Sequence, residues 1–410
     1  MKKNKIVNNT IMLMIFNIAK IVFPFITLPY LTRVLTTETY GVVTYVKTVM
    51  TYMQIFVDFG FVLSATKDIV KVKEDKEAIN RVVGDTLIAR LILGLVGFVI
   101  VIALSLAIPI LRENILFTIL SYAVVFATIF LMDFLFRGIE KMHIITIRFI
   151  VMKSLSTLLT FVLIKNDGNV LWIPLLDIIS SLIAILLVFI EVKKLDIKMK
   201  FSGMKNTLKS IKDSFVYFLS NVASTSFNAF STIIIGIFIN KADVAFWGLS
   251  MQIIGTIQAC YSPISDGIYP EMIRTKNLNI VNKVLKIFIP IILLGCIASY
   301  FIAEVGFMLL GGEEYLHAVP IFRLLIPTLF FGFLSIIFGW PTLGAIDKVK
   351  EVTKSTVVGV VVNMVLLFLL LAINQFTLFN IAIVRNITEV VLFTIRYYFF
   401  NKYKKEFCKE

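Results

Sequence analysis

The chain has 410 residues, of which 59% are hydrophobic and 16% charged; a soluble domain holds about 45–50% apolar residues, so that class is excluded. The formal net charge of +14 resembles that of a nucleic-acid binder. Its basic residues, however, fall in the connections between apolar runs, so the charge is topological and nucleic-acid binding is a poor reading.

A helix needs roughly 20 mostly apolar residues to cross the ~30 Å hydrocarbon layer. Such runs are predicted at 11–32, 41–64, 83–109, 116–136, 148–164, 172–191, 214–239, 245–268, 287–310, 319–340, 353–373 and 379–400, the fifth being the shortest. Period-two alternation is absent, which argues against a β-barrel. The opening Met1-Lys2-Lys3-Asn4-Lys5 resembles the start of a secretory leader. The apolar run behind it is too long, and no small-x-small cleavage site follows, so an uncleaved first span is expected. The fold class expected is an all-α polytopic membrane protein.

Lysine and arginine crowd alternate connections, with Lys193, Lys194, Lys198, Lys200, Lys205, Lys209 and Lys212 in one of them. The opposite connections carry only Arg33, Arg112, Lys165 and Lys241. By the positive-inside rule both termini are expected in the cytoplasm. The longest connection divides the spans six and six. The expected organisation is an N-terminal lobe over 1–192, a cytoplasmic linker over 193–213, a C-terminal lobe over 214–400 and a cytoplasmic tail over 401–410. The linker's charge pattern suits a helix lying on the inner membrane surface. Weak similarity between halves, Asn17 with Gly41 against Asn221 with Gly248, is what repeats related by an axis along the membrane normal produce.

Residues three and four apart share a helix face. The first span aligns Asn17, Lys20, Pro24 and Thr27; the second aligns Thr44, Lys47, Thr51, Gln54 and Asp58; the seventh aligns Asn221, Ser224, Asn228 and Ser231. Such faces must line water or another helix. Arg90, Lys153, Asp177, Arg323, Arg385 and Glu389 add ionisable groups from other spans, while Asp85, Asp133, Asp266 and Glu304 lie nearer span ends. Arg323 fits snorkelling as well as ligand contact. Arg385 and Glu389 are four apart and fit mutual neutralisation as well as a site. Lys153, near the start of its run, fits topological retention. Lys20 is central, has no acid three or four residues away, and is expected to line a cavity.

Pro24, Pro29, Pro263, Pro327 and Pro341 mark kinks or helix ends. Tyr30, Tyr45 and Tyr52 fit interface anchoring or stacking on sugars. Cys260, Cys296 and Cys408 have unrelated spacings, and His143 and His317 fall in different loops, so neither a metal site nor a disulfide framework is expected. No phosphate-binding loop occurs, and no cofactor is expected. Short outer connections and the absence of a nucleophile–base constellation argue against an enzyme.

The run from Asn17 through Pro24-Phe25-Ile26-Thr27-Leu28-Pro29-Tyr30-Leu31-Thr32-Arg33-Val34-Leu35 resembles the opening of Wzx-type polysaccharide flippases. The likeness continues through Tyr40-Gly41-Val42-Val43, Val57-Asp58-Phe59-Gly60-Phe61 and Ser64-Ala65-Thr66-Lys67-Asp68, covering about the first 70 residues. One departure is Thr36, where the family usually has glycine, which puts the geometry of that turn in question. The resemblance implies a MATE-like fold of two six-helix lobes within the multidrug/oligosaccharidyl-lipid/polysaccharide exporter group. It also implies flipping of an undecaprenyl-pyrophosphate-linked oligosaccharide to the outer leaflet of the bacterial plasma (inner) membrane. Such repeat units serve O-antigen, capsule or exopolysaccharide assembly.

On this reading Asn17, Lys20, Lys47, Arg90, Asn221, Asn228 and Arg385 are candidates for the headgroup and cavity. Asp58, Asp177 and Glu389 are candidates for coupling to H+ or Na+. Pro29, Tyr30, Arg33 and Gly41 are candidate gating or motif positions. Polymerase and chain-length proteins of the same pathway, and membrane lipids, are the implied partners. A multidrug cation antiporter of the same fold, or an O-antigen polymerase or ligase, is the alternative. A cation antiporter calls for an acidic cavity, and the polymerase or ligase calls for a large outer loop.

Overall fold

The computed structural model describes residues 2–407, without the side chains of 2–8, 10, 223, 224, 227 and 228; Cys408 therefore lies outside the described residues. The elements are all helices, and no strand occurs among the described residues. Among the described residues ten stretches are long and apolar enough to cross a membrane, which makes the chain a multi-pass membrane protein. The chain forms two compact units, Met1–Val222 and Ala223–Glu410.

In the first unit α1 spans Lys2–Val34, α2 Thr37–Asp58, α3 Phe61–Lys71, α4 Lys76–Ala107, α5 Pro109–Glu113 and α6 Ile115–Ala127. Then come α7 at Asp133–Gly138, α8 at Met142–Leu163, α9 at Trp172–Lys194 and the first part of α10, Met204–Phe238. Helix α1 packs on α8, α8 on α9, α9 on α6, and α6 on α2, with α4 against α2 and α6. The fifth span, read from sequence as the shortest, is the 22-residue α8.

Thr36, the residue in doubt, sits in extended backbone as the N-cap of α2. Its hydroxyl accepts from Thr39 N at 3.3 Å and donates to Asp167 Oδ2 at 2.8 Å. Its own N–H donates to Asp167 Oδ1 at 2.9 Å. The turn therefore needs no glycine, because φ is −61° and the side chain satisfies helix-end donors.

The connection read from sequence at 193–213 is helical only in part. Residues 197–203 are extended, and α10 begins directly at Met204. Lys198 N donates to Asn80 Oδ1 at 2.8 Å, Lys200 N to Asn80 O at 3.1 Å, and Ser202 N to Asp85 Oδ1 at 2.9 Å. Lys76 pairs with Asp196 and Lys200 with Glu77 outside this strap; the ammonium of Lys76 holds the Asp196 carboxyl below its usual range. Asp85, read as a wet span end, is buried instead. The strap lies so close to α4 that a methyl at Gly84 would meet Lys200 O at 2.2 Å. Farther on, α10 is held to the junction of α2 and α3: Ser64 and Ser214 share a 2.6 Å hydrogen bond, and the Phe59 and Phe218 rings stack at 4.4 Å.

In the second unit follow α11 at Lys241–Ala259, α12 at Ser262–Thr275, α13 at Leu278–Gly311, α14 at Val319–Leu325, α15 at Pro327–Ile337, α16 at Val349–Ala372 and α17 at Leu378–Lys402. Two sequence-read spans are broken here. The eighth stops at Ala259 and resumes at Ser262 with Pro263 in the first turn of α12. The tenth breaks before Pro327, since proline lacks the N–H that would continue the ladder. Backbone freed at that break is satisfied from α17: Asn386 Nδ2 donates to Leu324 O at 2.7 Å, and Thr328 Oγ1 donates to Asn386 Oδ1 at 2.8 Å. The unit's apolar core gathers Met272, Phe333, Ile337, Phe338 and Phe400.

Gly84→Ala is expected to destabilise the protein by about 1–3 kcal/mol through overpacking and to expose Lys198 and Lys200 to trypsin. Gly255→Ala, with nothing within 4 Å of the added methyl, is the matched control and should leave both readouts unchanged. Equal trypsin resistance of the two variants would contradict the strap.

Candidate functional site

Three ion pairs bind the helices of the first unit to one another. Arg90, 3% exposed, pairs with Asp58 and donates to Ile129 O at 3.2 Å. Asp58 also accepts from Gln54 Nε2 at 3.0 Å, and that amide in turn donates to Thr128 Oγ1 at 2.9 Å. Arg148 pairs with Asp133 at 2.7 Å and donates to Leu131 O at 2.7 Å. Lys153 pairs with Asp177 Oδ1 at 3.0 Å, and Ser156 Oγ donates to the same oxygen at 2.8 Å. Each pair joins helices that a lipid environment would otherwise leave with isolated charge.

Topological retention is not what places Lys153. Helix α8 starts at Met142, six residues before the predicted span, so Lys153 is central and faces Asp177. The same early start explains why Arg148 escaped notice: it reads as the first residue of a run when it lies inside the helix. Asp133 is likewise an internal partner and not a wet end.

Two lysines of the first unit stand apart. Lys20 has no hydrogen bond or ion pair among the described residues; its Nζ lies 4.4 Å from the centroid of the Phe16 ring. Its charged neighbours are Asp133, Arg137 and Asp58. At ~1.5 Å per residue it is roughly 14 Å along α1 from Ile11, where the apolar part begins. Lys47 also has no hydrogen bond or ion pair among the described residues, and its nearest charges are Asp177 and Lys153. It lies roughly 15 Å along α2 from Thr37. Both cations are therefore near mid-depth.

Lys47 borders a cavity of about 290 Å³ between α2, α6 and α9. Thr51, Gln54, Ser121 and Asp177 supply its other polar groups, and Phe117 and Pro174 part of its apolar wall. Asp177 Oδ2 accepts no hydrogen bond among the described residues, so this oxygen and the Lys47 ammonium remain for a ligand.

The other sequence-read residues are distributed more widely. Asn17 is exposed on α1, and Gly41 is buried in α2. Pro29 lies inside α1, which continues through it to Val34. Tyr30 donates to Ile164 O at 2.7 Å or Phe161 O at 3.0 Å, tying α1 to the end of α8. Arg33 is exposed in the last turn of α1. Tyr45 is wholly buried, so neither interface anchoring nor sugar stacking describes it. Asn221 is half-buried on α10, while the side chain of Asn228 lies outside the described residues.

In the second unit Arg385 and Glu389 pair at 2.7 Å with 1% and 4% side-chain exposure; mutual neutralisation describes them. Arg396, which the sequence reading passed over, bonds Ser335 O at 2.6 Å, Thr356 Oγ1 at 3.0 Å and Ser355 Oγ at 3.1 Å. Its place on the Arg385 face, eleven residues on, was the available signal. Arg323 does not stand free: it pairs with Glu304 at 2.9 Å and bonds Tyr300 O at 3.0 Å. No cluster of three or more metal-ligating side chains occurs among the described residues.

The family model described as polysaccharide biosynthesis protein matches residues 6–276, two thirds of the chain. Two similar proteins are both named "Putative O-antigen transporter". The one from Escherichia coli (strain K12) is 24% identical over 367 residues, covering 88% of each chain. The one from Shigella dysenteriae is 27% identical over 288 residues, covering 68% of this chain and 70% of its own. Among solved structures, the lipid II flippase MurJ in an inward closed conformation superposes with a TM-score of 0.71 at 11% identity, over 96% of this chain and 87% of that one. An inward-facing multidrug resistance MATE family transporter of the MOP superfamily gives a TM-score of 0.67 at 16% identity, over 95% of both chains. These structural likenesses establish a MATE-like fold.

Glu389→Leu should destabilise the protein by about 3–5 kcal/mol, because it removes the carboxylate paired with a buried guanidinium, whereas Arg385→Met combined with Glu389→Leu should recover most of that loss. Thermal unfolding in detergent reads both; a double variant as unstable as the single one would show that the pair does more than neutralise itself.

Proposed function

The chain belongs to the polysaccharide biosynthesis protein family, and from that premise we propose that it flips an undecaprenyl-pyrophosphate-linked oligosaccharide from the cytoplasmic to the outer leaflet of the bacterial plasma membrane. The relatives named as O-antigen transporters, and a fold shared with a protein titled as a lipid II flippase, support this reading.

The observation that carries it is the unequal compensation of charge in the first unit. Arg90, Arg148 and Lys153 each have a carboxylate partner, whereas Lys20 and Lys47 have none among the described residues. A lysine at the centre of a span costs about 2.5–3.5 kcal/mol even on the lenient insertion scale. Two such lysines with no acid in ion-pair contact suit a protein whose cargo brings the anion. A pyrophosphate cannot cross ~30 Å of hydrocarbon alone, and the Lys20 ammonium at mid-depth would offset its charge while Asn17, Asn221 and Asn228 solvate hydroxyls. The excess is positive, which argues against cationic drugs as cargo.

Alternating access is the proposed cycle, with the two lobes opened to one side at a time and both termini cytoplasmic, as the lysine-rich connections require. Asp58, Asp177 and Glu389 remain the proposed sites for a coupling H+ or Na+. Each is held by a basic partner, so a coupling ion would have to displace or share that partner. Arg90 and Arg385 would then contact the headgroup only when released. Pro29, Tyr30, Arg33 and Gly41 are proposed to set the outer end of the first hairpin.

Purified protein in liposomes should turn over a lipid-linked oligosaccharide, measured by loss of glycan from reach of an externally added glycosidase. Lys20→Ala should slow it by about ten-fold or more, the equivalent of one charge-assisted contact, with normal abundance and unfolding temperature, and Lys20→Arg should restore part of the rate. Wild-type vesicles no faster than protein-free vesicles would reject the reading, and an unimpaired Ala variant would remove Lys20 from it.

A further inference from the structure

The cavity between α2, α6 and α9 carries a charge pattern more specific than pyrophosphate carriage requires. Three ionisable groups stand around it: Lys47 and Asp177 on its wall and Lys153, which is bonded to Asp177. Their sum is one positive charge. Lys153 is committed to Asp177 Oδ1, so a single ammonium, Lys47, is left to meet a ligand. Asp177 Oδ2 stands nearby as an acceptor. The hydroxyls of Thr51 and Ser121 donate to backbone carbonyls of their own helices at 2.9 and 2.7 Å, which leaves their lone pairs to accept. Gln54 is spent on Asp58 and Thr128.

We infer that this cavity is a subsite for one acidic sugar of the glycan, a pyranose bearing a carboxylate. The inference rests on the reading of the chain as a glycan carrier and deepens it. Lys47 takes the carboxylate, since one uncommitted cation in a site of net charge +1 matches a monoanion. The ring hydroxyls donate to Asp177 Oδ2, Thr51 and Ser121, and the apolar face of the ring lies on Phe117 and Pro174. A pyrophosphate or phosphate monoester is a poorer fit. It brings up to two charges to one free ammonium, and Asp177 repels the second. A neutral sugar would offer the Lys47 ammonium no ion-pair partner, and that loss is where discrimination arises. At about 290 Å³ the space is near the small end of ligand pockets, suited to a sugar ring and not to a polyprenyl tail.

The test is calorimetric titration of the full chain in lipid nanodiscs with methyl β-D-glucuronoside, methyl β-D-glucoside and inorganic phosphate. The glucuronoside is expected to bind at least about ten-fold more tightly than either other probe, as a charge-assisted contact provides. Lys47→Gln should bring it down to the level of the glucoside, and Lys47→Arg should keep the preference. The wild-type preference is itself decisive if the Gln variant unfolds. Equal binding of the two glycosides, tighter binding of phosphate, or an unaffected folded Gln variant would overturn the subsite. Flipping of lipid-linked glycans by a protein without the glucuronoside preference overturns the subsite alone. A preference that follows Lys47, in a protein that flips no lipid-linked glycan, supports the subsite and defeats the carrier reading.

Discussion

An ionisable side chain carried into a bilayer by an apolar helix must find a counter-charge, a shell of hydrogen bonds or water, and the arrangement of this protein follows from that requirement. Asp58 and Arg90 join α2 to α4, Asp133 and Arg148 join α7 to α8, and Lys153 and Asp177 join α8 to α9. Arg385 and Glu389 satisfy the same demand within one helix, and Arg396 does so with a carbonyl and two hydroxyls in place of an acid. Such pairs contribute little net stability, because desolvation offsets attraction. Losing one partner is nonetheless severe, so they fix which helices are neighbours.

The same demand governs the backbone. A span broken at Pro327 is tolerated because Asn386 closes the freed carbonyl of Leu324. The strap after α9 can remain extended because Asn80 and Asp85 supply its partners and Gly84 lets it approach α4. Thr36 replaces a flexible glycine turn with a side-chain cap and a bond to Asp167. In each place polar atoms of one element complete another, so local irregularity and tertiary packing arise together.

Against this background of settled charges, Lys20 and Lys47 stand out as the two cations that the proposed function assigns to cargo. Membership of the polysaccharide biosynthesis protein family and an excess of uncompensated positive charge point in one direction, toward an anionic glycan-bearing cargo. The acids that a coupling ion would use are all engaged with bases, which ties any coupling step to the rearrangement of ion pairs.

The sequence alone determined the class of the protein. Runs of about twenty apolar residues can be satisfied in a bilayer only as helices, and the lysine-rich connections mark one side. The first-span motif around Pro24 to Leu35 pointed to the family, and Lys20 and Lys47 were legible as cations inside apolar spans because hydrophobic context makes any charge conspicuous. Partners were not legible except for Arg385 with Glu389, which lie one turn apart. Asp58 meets Arg90 and Lys153 meets Asp177 from separate helices, and no periodicity within one helix encodes which face meets which neighbour. Helix starts shifted by a few residues misplaced Lys153 and hid Arg148, because hydropathy does not register the polar first turn of a helix. Whether a cation within a span is paired with an acid was decided only by tertiary structure, since that outcome depends on distances across helices and not on order along the chain.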